Sequence, residues 1–126
     1  MTPHEHAWEL VSLALEDLYV ARAIAPDPNL PDRAVGYNLQ QAVEKLLKAL
    51  LAELNLDYPR THSLRRLTGL VTEHGYTLPG FVQELGFLTR YAVVERYTIR
   101  PSPTLDRAKV LSLVEQLRDW VENELA

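Results

Sequence analysis

Three stretches of the chain carry side chains whose type and spacing could do chemistry. In QQAVEKLLKALL, residues 40–51, Gln41, Lys45 and Lys48 recur at steps of four and three. A helix would align them as one strip, with Gln40 and Glu44 beside it. A lysine ammonium on its long stem suits a phosphate as a point charge. The plainer reading is a solvated face on which Glu44 and Lys48, in the favourable order, contribute ~0.3 kcal/mol. In THSL, residues 61–64, His62 stands at or beside a helix start. Exposed backbone N–H groups there, and the positive end of the helix dipole, favour an anion and a neutral hydrogen-bonding imidazole; a capping segment with an incidental histidine is the alternative. In TRYAVVERYTIRP, residues 89–101, Arg90, Arg96 and Arg100 interleave with Tyr91 and Tyr97. Guanidinium forks grip phosphate and tyrosine faces stack on bases, although some of these tyrosines must serve the core.

Other chemistries lack their residues. His4 and His6, two apart on a helix, point in different directions, so they read as a frayed terminus and not as a metal pair. His74, just before Gly75, suits a helix C-terminus. The chain has no cysteine, no HExxH, no GxxxxGK[ST], no GxGxxG and no GxSxG. A thiolate site, a zinc-protease motif, a phosphate-cradling loop and a nucleophile elbow are therefore not signalled, and no metal or cofactor is expected.

These residues need elements to position them. Thr2-Pro3-His4-Glu5 reads as a capping box, followed by an apolar stripe of Trp8, Val11, Leu15 and Leu18 as far as residue 24. Pro26, Pro28 and Pro31 end that helix. A second helix is predicted over 32–54, with Leu39, Ala42, Val43, Leu46, Leu47, Leu50, Leu51 and Leu54 on a wide apolar face and Gly36 as a local weakness. Such a face fits either a central place in a bundle or a second subunit. Thr61 or Ser63 can cap a short third helix from Leu64, with Gly75 as its left-handed terminator. A fourth helix follows Pro79-Gly80, with Phe81, Val82, Leu85, Leu88, Tyr91 and Ala92 inward, and runs to near Arg96-Tyr97. The last starts near Thr104 and carries Leu111, Val114, Leu117, Val121 and Leu125. No segment alternates like a half-buried strand. The prediction is an all-α fold: an antiparallel up-and-down four-helix bundle with an additional short helix, as a single domain over 1–126.

Composition narrows the function. At 126 residues the chain supports one core, and its net charge of -4 means that any nucleic-acid binding must come from a local basic patch. The N-terminus lacks the basic start and apolar run of a signal peptide, and no apolar segment spans a bilayer, so a cytoplasmic protein without membrane attachment is expected.

Taken together, YNLQQAVEKLLKALLAEL, then THSLRRL, then Arg96-Tyr97, resemble the HEPN family (higher eukaryotes and prokaryotes nucleotide-binding) over nearly the whole chain. The resemblance implies a helical bundle, often dimeric, in nucleotide or RNA biology. It also implies a minimal nucleotidyltransferase partner, frequently in toxin–antitoxin fashion. Many HEPN proteins are metal-independent ribonucleases with an arginine followed, after four to six residues, by histidine. That histidine is missing here: counting from Arg96, the allowed positions hold Pro101, Ser102 and Pro103, and Arg90 and Arg100 fare no better. The expectation is therefore a non-catalytic, homodimeric protein that binds nucleotide or RNA through Gln41, Lys45, Lys48, His62, Arg96 and Tyr97. The alternatives are a ribonuclease toxin with His62 displaced into the missing role, and a purely structural helical adaptor.

Overall fold

The computed structural model describes residues 1–93 and 104–126. Among them are five α-helices and a 3-10 segment, with no strand: α1 (Pro3–Ile24), α2 (Asp32–Glu53), α3 (Leu64–Glu73), the 3-10 segment (Gly80–Leu88), α4 (Thr89–Val93) and α5 (Arg107–Leu125). The all-α expectation holds, and the arrangement is compatible with a four-helix bundle. Within the described residues no helix is long and apolar enough to cross a membrane.

Local signals set most boundaries. Thr2 Oγ1 accepts from the Glu5 N–H at 3.0 Å with Pro3 behind it, so α1 begins where its box predicts. Ser63 Oγ accepts from the Arg66 N–H at 3.2 Å and caps α3. Gly75, at φ +103°, ends that helix in the left-handed region open to glycine. His74 Nδ1 donates to the Leu70 carbonyl at 2.9 Å, tying down that C-terminus.

The core is built around α2. Leu39, Leu46, Leu47 and Leu50 are all fully buried, and α1, α3, α4, α5 and the 3-10 segment all pack on it. The wide apolar face is thus covered by its own chain, which answers the choice between a central helix and a second subunit. Leu54 departs from expectation: it follows the helix end, where Asn55 turns at φ 57°, and is 42 % exposed.

The fourth helix differs from the prediction. Residues 80–88 form a 3-10 segment and only Thr89–Val93 is α-helical. Its anchor is Tyr91, nearly fully buried over Gly36, where a Cβ would stand 2.5–2.8 Å from the ring. Gly36, read from sequence as a weakness, is therefore what lets α4 approach α2. The last helix starts at Arg107, not at Thr104, because Asp106 supplies the cap, accepting from the Lys109 N–H at 3.2 Å. Arg107 then reaches across the bundle. It donates to the Asp32 carboxylate at 2.8 Å and to the carbonyls of Ala25, Asp27 and Leu30. Asp32 also accepts from the Leu105 N–H at 2.9 Å, so one carboxylate at the start of α2 fixes the entry to α5.

A candidate site built on a buried glutamine–glutamate pair

Gln40 and Glu44 lie one turn apart on α2 and are both buried, at 0 % and 6 % exposure. A charged carboxylate in that position must be paired and hydrogen-bonded to be tolerated. Glu44 Oε1 accepts from Gln40 Nε2 at 3.1 Å and from His62 Nδ1 at 2.9 Å, while Oε2 accepts from Lys48 Nζ at 3.0 Å. Burial pushes the Glu44 carboxyl up, but these three donors outweigh it and hold it below its ordinary value. The carboxylate is then an acceptor only, so the hydrogen between the pair belongs to His62 Nδ1. Gln40 Nε2 donates a second bond, to the His62 carbonyl at 3.1 Å. His62 is thereby clamped by backbone and by ring, with its side chain still 57 % exposed. Its Nε2 has no partner among the described residues.

The cations of the strip are already matched. Lys48 gives its ammonium to Glu44 and rests 5.5 Å above the centre of the Tyr58 ring. Lys45 turns to α1, donating to Asp17 Oδ2 at 2.6 Å. There burial, with the nearby Glu16 and Glu44 charges, raises the Asp17 carboxyl above its usual range despite Lys45. Gln41 Nε2 donates to Gln40 Oε1 at 2.7 Å. Gln41, Lys48 and His62 therefore meet through Gln40 and Glu44, whereas Lys45 faces the neighbouring helix. Arg96 and Tyr97 lie outside the described residues.

Two sequence expectations change. The α3 start is not an open row of amides: the N–H groups of Ser63, Leu64 and Arg66 donate to Thr61, Thr89 and Ser63 hydroxyls. Three of the donors an anion would meet there are already in use, so His62 owes its character to Glu44 more than to the helix end. The histidine pair at the N-terminus is not frayed. His4 Nδ1 bonds the Glu53 carboxylate at 2.8 Å, and His6 Nε2 pairs with the Tyr58 hydroxyl at 2.9 Å. The His6 and Tyr58 rings stack with centroids 6.1 Å apart, which seats the tyrosine that carries Lys48.

Gln40, Glu44, Asp17 and Tyr58 were not singled out from sequence as site residues. A signal existed for the first two. Positions 40, 44, 47 and 51 form one row at steps of four, three and four, and its last two members are leucines. A glutamine and a glutamate that continue a leucine row are being sent inward.

No match was found among the curated proteins or the solved structures. A family model, the HEPN domain, matches residues 7–124, which takes in every helix that builds the site. The chain belongs to the HEPN domain family, whose functions concern nucleotides and RNA.

Proposed function

We propose that the chain is a non-catalytic nucleotide- or RNA-binding HEPN protein that works with a minimal nucleotidyltransferase, in the manner of a toxin–antitoxin pair. The observation that carries this reading is the double clamp on His62. Two buried polar groups, in a core where burial of either is costly, are committed to holding one exposed imidazole in one tautomer. Such an arrangement favours recognition at Nε2, with Lys48 beside it and Gln41 behind. The reading adds Lys45, Arg96 and Tyr97 as phosphate and base contacts. The missing histidine after Arg96 argues against ribonuclease chemistry. A homodimer would use a surface other than α2; Leu13 and Val20, seven residues apart on α1 and exposed at 38 % and 42 %, are available for it.

Titration calorimetry with ATP and with short single-stranded RNA tests the reading. Binding should be present in the wild type and weakened in His62→Ala and in Lys48→Ala. No heat above dilution at millimolar ligand, alone or with the nucleotidyltransferase present, would remove it. A second reading rests on the same pair, since a carboxylate-oriented imidazole is the form of a general base. Incubation with total RNA separates the two. Cleavage that disappears in His62→Ala and in Arg96→Ala would replace the binding role with a ribonuclease.

A further inference from the structure

A second place on the molecule, away from the α2 strip, has the makings of a ligand site. Between α3 and the 3-10 segment lies a groove of about 600 Å³ lined by Arg65, Thr68, Thr72, Tyr76 and Gln83 among others. A hollow of about 240 Å³ adjoins it and shares Arg65, Thr68 and Gln83, with Gly86 at its wall. The larger volume falls within the ~300–1,000 Å³ typical of small-molecule sites.

Arg65 stands on the seam of the two. Its side chain lies against Gly86: a Cβ there would be 3.2 Å from Arg65 Cγ and 3.3–3.4 Å from Nε and Cζ. The guanidinium is therefore seated by the bare backbone of the 3-10 segment. It has no acceptor and no ion-pair partner among the described residues. Arg22, Lys45, Lys48, Arg107 and Arg118 are each matched to a carboxylate, whereas Arg33, Arg60, Arg66 and Lys109 share with Arg65 the lack of one among the described residues. What distinguishes Arg65 is its seat against Gly86 and its place on the wall of both hollows. Arg66, its neighbour, lines neither hollow.

The surrounding groups narrow the ligand. Thr68 spends its hydroxyl proton on the Arg65 carbonyl at 2.9 Å, so it faces a ligand as an acceptor. That suits a sugar hydroxyl. Gln83 and Thr72 can both donate and accept. Against this single cation the groove holds one carboxylate, Glu73, eight residues further along α3 and so ~12 Å away. One guanidinium with an acid at the far end matches a single phosphate and opposes a chain of them. We infer that the α3 groove binds a small phosphate monoester of a hydroxyl-bearing sugar, such as a mononucleotide or a sugar phosphate, with Arg65 taking the phosphate and Thr68 a sugar hydroxyl.

The test uses the intact chain and calorimetry with AMP, ribose 5-phosphate, adenosine and ATP, with backbone amide NMR to locate binding. AMP or ribose 5-phosphate should bind and shift the amides of Thr68, Thr72 and Gln83, while adenosine should not. At the groove, followed through the amides of Thr68, Thr72 and Gln83, ATP should bind no more tightly than AMP. Arg65→Gln should weaken binding at least about tenfold, as loss of a charge-assisted fork requires, and Gly86→Ala should weaken it by displacing the guanidinium. Arg66→Gln should leave it unchanged, and Glu73→Gln should tighten it. If AMP and ribose 5-phosphate both fail at millimolar concentration, or bind equally well to Arg65→Gln, the inference is wrong. Binding retained in Arg65→Gln but lost in His62→Ala would place the ligand on α2, overturning the groove while supporting the earlier reading. The converse pattern would support the groove alone.

Discussion

Replacing Glu44 by alanine removes the acceptor on which three donors converge, and the cost can be worked from their surroundings. Lys48 is the largest contributor, because its side chain is only 14 % exposed and loses its one carboxylate. Breaking a buried pair by deleting one partner costs ~3–5 kcal/mol. Two features hold the figure to the lower end. Gln40 keeps its bond to the His62 carbonyl, and the His62 ring, 57 % exposed, can turn to water. We expect about 3 kcal/mol for Glu44→Ala, and for a domain of this size a fall in Tm of ~10 °C. Glu44→Gln should cost less, ~2 kcal/mol, since its carbonyl keeps Gln40 and His62 while its amide faces the Lys48 ammonium donor to donor. Urea unfolding of both variants gives the values. A double-mutant cycle should then show stronger coupling of Glu44 to Lys48 than to His62, because the imidazole is the more exposed partner. A Glu44→Ala loss below about 1 kcal/mol would refute the claim that a buried, fully satisfied carboxylate organises this site.

The histidine tautomer gives an independent check: nitrogen NMR should find the neutral His62 ring protonated at Nδ1, and Glu44→Gln should shift the ring toward a mixture. Gly36→Ala and Gly69→Ala should differ in sign. The first presses on Tyr91 and should cost ~1–2 kcal/mol net of its helix-propensity gain, whereas the second meets nothing within 4 Å and should gain ~0.5–1 kcal/mol by urea denaturation. Acid should weaken the fold through Glu44 and Asp32. Burial raises both, but Glu44's three donors, and for Asp32 the Leu105 N–H and Arg107, leave them below their ordinary values of 4.5 and 3.8. Their contribution is present above those values and is lost as pH falls through the lower folded ones. Asp17, raised by burial, acts oppositely and stabilises as it protonates, so Asp17→Asn should steepen the loss in urea midpoints measured down the acid range. The same variant frees Lys45 and should tighten any phosphate ligand of the α2 strip in the calorimeter.

Legibility in the sequence followed the kind of force involved. The helix start at Thr2 was readable because the physics of a cap spans only four residues, whereas at α5 Thr104 and Asp106 were rival caps two residues apart and the second one serves. The leucine periodicity, equally local, marked α2 as apolar over a wide face, but whether its own chain or a second subunit covered that face depended on packing between helices. Gly36 could not be understood that way, since its meaning lies in Tyr91, 55 positions along the chain. The fourth helix was overestimated because the apolar spacing of Phe81, Val82, Leu85 and Leu88 serves a 3-10 turn as well as an α-helix over so short a run. At the site, the lysines drew attention as charges, yet their carboxylate partners settle their role. Asp17, on another helix, could not be paired with Lys45 from spacing alone. Gln40 and Glu44 were visible in the motif but were assigned to its rim, because a polar residue is by default expected to face water.

The Arg107 clasp has a kinetic corollary. Its bonds to Leu30 and Asp32 join residues 77 and 75 positions apart, so the polypeptide must close most of its length before they can form. The entropy of that closure is spent before any reward arrives, which places the clasp late on the folding route. Arg107→Met should therefore leave the refolding limb of a chevron nearly unchanged and steepen the rate of escape from the native state. In that role the residue acts as a bolt on the finished bundle and contributes little to its nucleus.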